Sequence, residues 1–375
     1  MTTLTGKRKA PSLRSELAGT DGERGHKEKL RLYGQAKAHQ EAVRAWIIDH
    51  DPGLAKEVEQ MEKCSSWLVF RHFFQVDKYR LIGGCTCRQH LLCAMCALRR
   101  SAKMVRAYEA KIRTVLAGNS NLIPVLLTLT VKNGEDLAER FQHIEDKYKR
   151  MIQKRRLAKG GNRHKTVFSL LLGGVAAFEV KRGSGSGLWH PHLHMWALVP
   201  MGTDLLQFRR ELSAEWQRLT VDSCNVDVRP IDTSTDETFL GSICEVLRYA
   251  LKFGEMTIPD QVAAYRVLRG WRLVRDFGLL HGVTVSDEIT DSIEEVLELE
   301  PYIDLIYRYI GRATYTLDHI GDLGDISTGK HDKQQTQKRP QRPMDPVAYV
   351  GNRPIANVEE WLKFKAKPKT AQLAD

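Results

Sequence analysis

The sequence lacks the features that direct a protein to a membrane or out of the cell. No apolar run approaches the roughly 20 residues that cross a bilayer, and the longest candidates carry Gly, Pro or Glu. Residues 1–30 are polar and charged, unlike a signal peptide. The cysteine count is odd, at 7, which argues against a disulfide framework and fits a reducing compartment. We therefore expect a cytoplasmic protein with no membrane partner.

Acidic residues are too few to balance the basic ones. The chain carries 57 Lys and Arg against 46 Asp and Glu, which gives a formal net charge of +11 and a pI near 9.3. This balance favours a polyanionic partner, with nucleic acid ahead of a membrane surface. At 375 residues and 42% hydrophobic, the chain can bury a sizeable core in one large domain or in two or three ordinary ones.

Cysteines crowd into one short segment. Cys85, Cys87, Cys93 and Cys96 fall close together, with Cys64 upstream and His90 inside the segment. The spacing of Cys93 and Cys96 predicts half of a structural zinc site, because thiolates in a C-x2-C pair can surround zinc tetrahedrally. The other two ligands come from Cys64, Cys85, Cys87 or His90, and the sequence alone does not choose. The alternative is a set of buried free thiols, against which the density of cysteines argues.

Composition and periodicity divide the rest of the chain. Residues 1–25 predict a disordered basic tail, because they are rich in Gly, Ser, Thr and basic residues. Residues 26–118 combine helical periodicity with the cysteines, and we expect a helical, zinc-binding region there. Residues 317–375 are mostly polar and predict a largely disordered C-terminal tail.

Histidines alternate with non-polar residues from Trp189 to Trp196. A strand there would place His192 and His194 on one face and Leu193 and Met195 on the other. Two neighbouring imidazoles suit a divalent metal. The alternative is a pair of polar strand residues exposed to water.

A carboxylate precedes the histidines by a strand's length. Residues 175–199 predict an antiparallel hairpin around the glycine-rich turn 183–187, which would set Glu179 across from the histidine strand. Two imidazoles and one carboxylate suit Mn²⁺ or Mg²⁺, with open positions for substrate oxygens. The alternative for Glu179 is an ion pair with Lys181 or Arg182 at a sheet edge.

A later helix carries a nucleophile on its polar side. Glu245, Tyr249 and Lys252 align opposite an apolar stripe that begins near Leu240. A tyrosine can attack a phosphodiester, a lysine can stabilise the charge on phosphorus, and a glutamate can activate a water or orient a second nucleophile. The alternative is an ordinary helix surface with an exposed tyrosine.

Basic side chains provide candidate contacts to the DNA backbone. We assign this role to Arg99 and Arg100 after the cysteines, and to the run at the end of a predicted helix: Lys154, Arg155 and Arg156. Such runs also occur as solvated faces. His190 stands before Pro191, and we expect His190 to lie off the strand pairing. We interpret His190 as a contact to DNA or to a metal ligand.

Three motifs together resemble a known family, the rolling-circle plasmid replication initiators of the HUH endonuclease superfamily. They lie in order at 127–133, which reads Leu-Thr-Leu-Thr-Val-Lys-Asn, at 190–194 and at 245–252. The cysteine region followed by Arg99 and Arg100 is similar to that of the single-tyrosine branch. The likeness covers roughly residues 60–280, and the third motif combined with the second is the specific part.

The resemblance implies an α+β fold, in which an antiparallel sheet flanked by helices follows the helical and cysteine-rich region. It places an HUH nicking-joining domain at 119–316. The implied reaction nicks one strand at the double-strand origin of a plasmid. Tyr249 attacks and becomes linked to the 5′ phosphate, the free 3′ hydroxyl primes synthesis, and Glu245 takes part in termination. Cleavage and rejoining then release a single-stranded circle.

The implied partners are origin DNA, both double-stranded and single-stranded, and host replication proteins such as a helicase and a polymerase. A transposase or a mobilisation relaxase of the same superfamily is an alternative. Such transposases tend to use paired tyrosines, and a relaxase usually has its tyrosine before the histidines. Another alternative is a zinc-bearing DNA-binding regulator without catalysis, in which the histidine and tyrosine patterns would be accidental.

Overall fold

The computed structural model describes residues 22–74, 76–159, 165–183, 185–247, 256–285, 291, 302–321, 348–350 and 353–355. The chain forms two compact units. The first comprises Met1–Arg100 and Asp287–Asp375, and the second comprises Ser101–Ser286.

The described residues form seven α-helices and eleven strands. The helices are α1 (Glu23–His50), α2 (Ala55–Glu62), α3 (Ala94–Ala117), α4 (Leu137–Lys159), α5 (Leu205–Thr220), α6 (Asp236–Leu247) and α7 (Ile258–Leu268). The strands are β1 (Trp67–Phe73), β2 (Lys78–Gly84), β3 (Leu122–Thr130), β4 (Gly173–Arg182), β5 (Trp189–Pro200), β6 (Val226–Pro230), β7 (Val274–Gly278), β8 (Ile303–Gly311), β9 (Thr314–Gly321), β10 (Ala348–Val350) and β11 (Arg353–Ile355).

The first unit is built on a four-stranded antiparallel sheet in the order β2-β1-β8-β9. Helix α1 contributes to its core through His26, whose ring stacks on Tyr79 with centroids 4.2 Å apart and meets the Tyr307 hydroxyl at 2.8 Å. The short strands β10 and β11 form a separate antiparallel pair.

Two buried ion pairs join distant parts of the first unit. Arg71 on β1 binds both carboxylate oxygens of Asp304 on β8, at 2.8 and 3.0 Å. Arg99 donates to Asp291 at 2.6 Å and to the Tyr33 hydroxyl at 2.9 Å. Each guanidinium is buried against a carboxylate, which is the arrangement that buried charges require.

The second unit contains a five-stranded antiparallel sheet in the order β6-β3-β5-β4-β7. Strands β4 and β5 pair along their whole length, and β3 pairs with β5 from Leu122↔Pro200 to Thr130↔His192. Leu193 and Met195 on β5 are fully buried. The pattern that predicted a strand at this position thus gives one apolar and one polar face.

Helices cover the two faces of this sheet differently. Helix α4 packs on the apolar face, where Phe141 and Tyr148 contact Phe178 with ring centroids 5.6 and 5.4 Å apart. Helix α6 packs on the other face, where Ser242 accepts a hydrogen bond from the indole of Trp196 at 3.0 Å. The histidine end of β5 lies on this second face, beyond Trp196.

The prediction of an α+β fold, with antiparallel sheet flanked by helices after a helical and cysteine-rich region, is confirmed. The division into units differs from the predicted boundaries at 118 and 316, because β8 and β9 pair with β1 in the first unit. Residues 23–25 begin α1 and are not part of a tail. The predicted C-terminal tail overlaps β9 and contains β10 and β11. Residues 1–21 lie outside the described part of the chain.

Within the residues that the structure describes, every helix is too short or too polar to cross a membrane.

Candidate functional site

The structure brings Glu179, His192 and His194 together on one face of the second sheet. Glu179 pairs directly with His192 across β4 and β5. Its carboxylate oxygens lie 3.1 Å from Nε2 of His192 and 3.3 Å from Nε2 of His194. Glu179 and His192 are buried and His194 is partly exposed. One atom from each residue lies within 4.8 Å of the other two, so the three form a possible metal site.

The spacing of these ligand atoms fits a small divalent cation. Neighbouring ligands of an octahedral Mg²⁺ at about 2.1 Å lie about 3.0 Å apart, close to the distances between the carboxylate and the two imidazoles. Three ligands on one side of an ion leave the other positions open for substrate oxygens.

The second nitrogen of each imidazole has its own partner. Nδ1 of His194 lies 3.1 Å from the Thr128 hydroxyl, and Nδ1 of His192 lies 3.3 Å from the carbonyl of His190. Both nitrogens of His192 therefore face acceptors, whereas a neutral imidazole has one N–H. When Nδ1 carries the N–H and donates to the carbonyl of His190, Nε2 keeps a lone pair that can bind a cation.

His190 lies within the strand pairing, contrary to our expectation. It pairs with Lys181 on β4, and its ring centroid is 5.1 Å from that of His192. Its Nδ1 contacts Oδ1 of Asn133 at 2.6 Å. Burial, together with the neighbouring His192, lowers the pKa of His190 to about 4. At neutral pH His190 is therefore an uncharged neighbour of the metal-site histidines rather than a cationic DNA contact.

Pro191 does not expel His190 from the strand because of where its missing N–H points. The N–H and C=O of Trp189 both bond to Gly134, on the β3 side of β5. Alternate residues of a strand bond to the same side, so the nitrogen of Pro191 faces β3 as well. The regular β3–β5 pairing ends at Thr130↔His192, so no ladder hydrogen bond is lost there.

Glu245 is half-buried near the end of α6, where Arg229 on β6 donates to it at 2.8 Å. Arg229 also contacts Asp227 at 2.9 Å. Because Asp227 pairs with Thr128, which pairs with His194, Asp227 lies on the same sheet face as the metal site.

The other two predicted catalytic residues, Tyr249 and Lys252, lie outside the described residues. Their places are therefore known from the sequence alone, a short distance after the last described residue of α6, Leu247.

The cysteine cluster lies in the first unit and contains Cys64, Cys87, Cys93 and Cys96, all buried. Sγ of Cys64 is 3.6 Å from the sulfurs of Cys93 and Cys96, and Cys87 is 3.6 Å from Cys96. The sulfurs of a tetrahedral zinc site, each about 2.3 Å from the metal, lie about 3.8 Å apart. The four thiols thus fit one zinc ion.

The cluster shares protons unevenly. A hydrogen bond with Cys64 raises the pKa of Cys87 and of Cys93 well above the usual value. Hydrogen bonds from Cys64, Cys87 and Cys93 lower the pKa of Cys96 well below it. A dication bound here would favour deprotonation of the sulfurs, since zinc binds the thiolate form of cysteine.

The structure separates the cysteine candidates that the sequence left open. Cys85 is buried outside the cluster, and burial raises its pKa to about 12. His90 is half-buried and also outside the cluster. Cys64 reaches the cluster through tertiary structure. The backbone N–H of the next residue, Ser65, donates to the carbonyl of Cys85 at 3.0 Å and so holds this segment beside the other cysteines.

The structure buries two of the side chains that were predicted to contact DNA. Arg99 is buried in its ion pair with Asp291. Arg155 is buried, and its guanidinium donates to the carbonyls of Leu171 and Leu172 and lies over the ring of Phe277. Burial lowers the pKa of Arg155. Neither side chain is exposed at the surface, where DNA could contact it.

The other three candidates differ in exposure. Lys154 and Arg156 are exposed on α4, and Arg100 is partly exposed on α3. Lys154 also contacts Glu215 at 3.1 Å.

The residues that orient the site are not evident in the sequence. Thr128 and Asn133 lie in the first motif, but the sequence indicates no partner for either side chain. Arg229 gave no signal, since a single arginine in a short strand is common. Each becomes visible only when the strand register is known.

Comparisons with known proteins point in one direction. A family model described as "Replication protein" matches residues 78–301, more than half of the chain. The matched range contains the Glu179, His192 and His194 site and most of the cysteine cluster.

Two relatives named "Protein rep" also match. The one from Streptococcus pneumoniae serotype 2 (strain D39 / NCTC 7466) is 25% identical over 229 residues, covering 59% of this chain and 68% of the relative. The one from Lactiplantibacillus plantarum is 27% identical over 179 residues, covering 47% of this chain and 52% of the relative. This chain therefore spans about half of the second relative's length. No solved structure matches this chain.

Proposed function

The chain belongs to the family of replication proteins, and on that premise we propose that it initiates plasmid replication by nicking one strand of an origin. The reaction class is metal-dependent strand transfer through a tyrosine. The rolling-circle initiator resemblance drawn from the three motifs points to the same class.

The observation that carries the proposal is the Glu179, His192 and His194 site on the sheet face that α6 also contacts. A Mg²⁺ or Mn²⁺ ion held there would withdraw charge from a phosphoryl oxygen. The chain itself supplies the orientation. Thr128 and the carbonyl of His190 hold the outer nitrogens of the two rings, which aims both Nε2 atoms at one point.

Tyr249 is the proposed nucleophile. Its phenolic oxygen forms a bond to the phosphorus of the scissile diester, the bond from phosphorus to the 3′ oxygen breaks, and the 3′ oxygen leaves as a hydroxyl with a proton. The 5′ phosphate remains linked to Tyr249, and the 3′ hydroxyl primes synthesis. Lys252 would stabilise the charge that gathers on phosphorus.

Glu245 is the proposed residue for termination. It precedes Tyr249 by four residues in the sequence, and Arg229 holds its carboxylate in place on the sheet face that carries the metal site. A carboxylate at this position can take a proton from a water or from a second attacking hydroxyl. When a 3′ hydroxyl attacks, its oxygen forms a bond to phosphorus, the bond from phosphorus to the oxygen of Tyr249 breaks, and the tyrosine takes up a proton, so the rejoined single-stranded circle is released. Attack by water instead frees Tyr249 and leaves a linear strand with a 5′ phosphate.

For the cysteine cluster we propose a structural zinc ion. Four cysteine sulfurs form a closed set that leaves no position for a substrate, as in structural rather than catalytic zinc sites.

The metal-site role predicts a separation of binding from cleavage. In Mn²⁺, purified protein should nick supercoiled DNA that carries its own origin. His192→Ala should abolish the nick, since it removes one of three ligands, and should leave origin binding within about twofold, because the binding contacts are elsewhere. Loss of folding in this variant, judged by its circular dichroism spectrum, would instead assign His192 to the core. Full nicking by His192→Ala would refute the site.

A further inference from the structure

We infer that the outer side of α4 and α5 is a binding surface for duplex DNA, opposite the face that carries the metal site. The inference rests on the proposed function, since it assigns the place where the origin duplex is held during nicking. It concerns the described residues of the second unit alone.

The two surfaces lie on opposite sides of the sheet. Phe178 and Glu179 are neighbours on β4, so their side chains point to opposite faces. Glu179 belongs to the metal site, whereas Phe178 packs against Phe141 and Tyr148 of α4. Helix α4 therefore covers the face that is turned away from the metal site.

Helix α5 lies beside α4 on this side. Lys154 on α4 contacts Glu215 on α5 at 3.1 Å, and Arg140 at the start of α4 contacts Asp222, just after α5, at 2.8 Å. Two packed helices have axes about 8–10 Å apart, so their outer sides form one continuous surface.

This surface carries an excess of exposed cations. Those on the two helices are Lys149, Arg150, Lys154, Arg156, Arg209, Arg210 and Arg218. The exposed carboxylates of the same helices are Glu139 and Glu211. Glu139 is already paired with Arg140.

Two of these cations form ion pairs with buried carboxylates, and four others have no carboxylate partner among the described residues. Lys149 reaches Glu145 at 2.7 Å and Lys154 reaches Glu215, both of them buried acids. Across the described ranges, no carboxylate contacts the following guanidinium groups: Arg150, Arg156, Arg210 and Arg218. These four arginines are therefore available to phosphate, which a guanidinium can bind through two N–H groups.

The surface favours a duplex over a single strand. Proteins that hold single strands stack the bases on exposed aromatic rings. All aromatic side chains of the two helices are buried: Phe141, Tyr148, Phe208 and Trp216. Charge without stacking is the signature of contact to the phosphate backbone.

The test compares a triple variant with a matched control of equal charge. The variant is Arg150→Gln with Arg156→Gln and Arg210→Gln. The control removes three exposed cations from the first unit, by Arg24→Gln, Lys56→Gln and Arg312→Gln. Binding is measured by fluorescence anisotropy against salt, without divalent metal, on two probes. One is a mixed-sequence duplex of about 30 base pairs, and the other is an oligo(dT) strand of equal length.

The triple variant should flatten the slope of log K against log salt for the duplex by about 2.7, since each lost phosphate contact removes about 0.9. Its duplex affinity should fall on the order of 100-fold at 0.15 M salt by the same relation. The control should keep the parent's slope, and binding to oligo(dT) should change less than about threefold.

An unchanged duplex slope in the triple variant would overturn the inference, and so would an equal loss in the control variant. Equal losses on both probes would also overturn it, because the surface would then not be selective for duplex DNA. No step in this assay depends on cleavage, so a protein that fails to nick its origin would still give a clear result on this surface.

Discussion

The cysteine cluster gives a prediction with a calculable size. If Cys64, Cys87, Cys93 and Cys96 hold zinc, then Cys93→Ala removes one of the four ligands while Cys85→Ala leaves all four. The two replaced residues are both buried and lie in the same segment. The pair therefore separates loss of the metal from loss of a buried thiol.

The expected loss of stability follows from linkage between binding and folding. With free zinc at about 1,000 times its dissociation constant, binding to the folded state adds about 4 kcal/mol. For a unit of roughly 150–250 residues, each kcal/mol shifts Tm by about 2–4 °C. Removing zinc should thus lower Tm of the first unit by about 8–16 °C. Cys85→Ala should cost only about 1 kcal/mol, as an average buried substitution does.

The assay combines elemental analysis with calorimetry in the presence and absence of a chelator. The parent and Cys85→Ala should each contain one zinc per chain and lose thermal stability when the chelator is added. Cys93→Ala should contain none and should not respond to the chelator. Zinc-free parent protein, purified without chelator, would show that the four cysteines do not hold zinc. So would a Cys85→Ala variant that loses its zinc while Cys93→Ala retains it.

Two further predictions concern buried charge in the first unit. Arg71→Met should lower the free energy of unfolding by about 3–5 kcal/mol, because it leaves the carboxylate of Asp304 buried and unpaired. The control, Arg308→Met, breaks an exposed ion pair and should lower the free energy of unfolding by less than about 1 kcal/mol. Equal losses for the two variants in urea titrations would contradict this. Burial, with the nearby charge of Lys29, lowers the pKa of His26 from 6.5 to about 4, so the unfolded chain binds a proton in that range that the folded chain does not. The contribution of neutral His26 to the free energy of unfolding should therefore be fully present above pH 6.5 and fall by about 3 kcal/mol toward pH 4. His26→Phe should remove that part of the pH dependence, and an unchanged pH profile in this variant would disprove the role of His26.

Local patterns in the sequence predict the parts of the site that lie on neighbouring strands. Alternation along 189–196 and the glycine-rich turn at 183–187 are sufficient to set Glu179 opposite His192, because a hairpin's register follows from its turn and its apolar face. The hairpin is also local in sequence, so its pairing involves few alternatives.

Long-range pairing is what the sequence does not display. The pairing of β1 with β8 joins residues more than 200 positions apart, and it moves residues beyond 287 into the first unit. Arg99 looks like a surface cation in a basic run, yet its partner Asp291 lies 192 positions further along the chain. A charge pattern in the sequence shows which residues are charged. Whether a charged side chain is buried depends on which distant segment of the chain covers it.

The boundary of the cysteine site illustrates the same limit. The C-x2-C pair at Cys93 and Cys96 identifies itself by its spacing, but four candidates could complete it. The turn after α2 brings Cys64 to the cluster, whereas Cys85 lies near it through its backbone and turns its thiol elsewhere. Only tertiary structure distinguishes the two.

The proposed function depends on a covalent tyrosine intermediate, which can be detected by mapping where the protein attaches to DNA. Parent protein and Mn²⁺ are mixed with origin DNA, the products are digested, and the peptide linked to DNA is sequenced by mass spectrometry. We expect one nick, a free 3′ hydroxyl, and a 5′ phosphate linked to Tyr249. Tyr249→Phe should give neither nick nor adduct, whereas Tyr265→Phe should give both. A nick without a linked peptide, or an adduct that persists in Tyr249→Phe, would contradict the account.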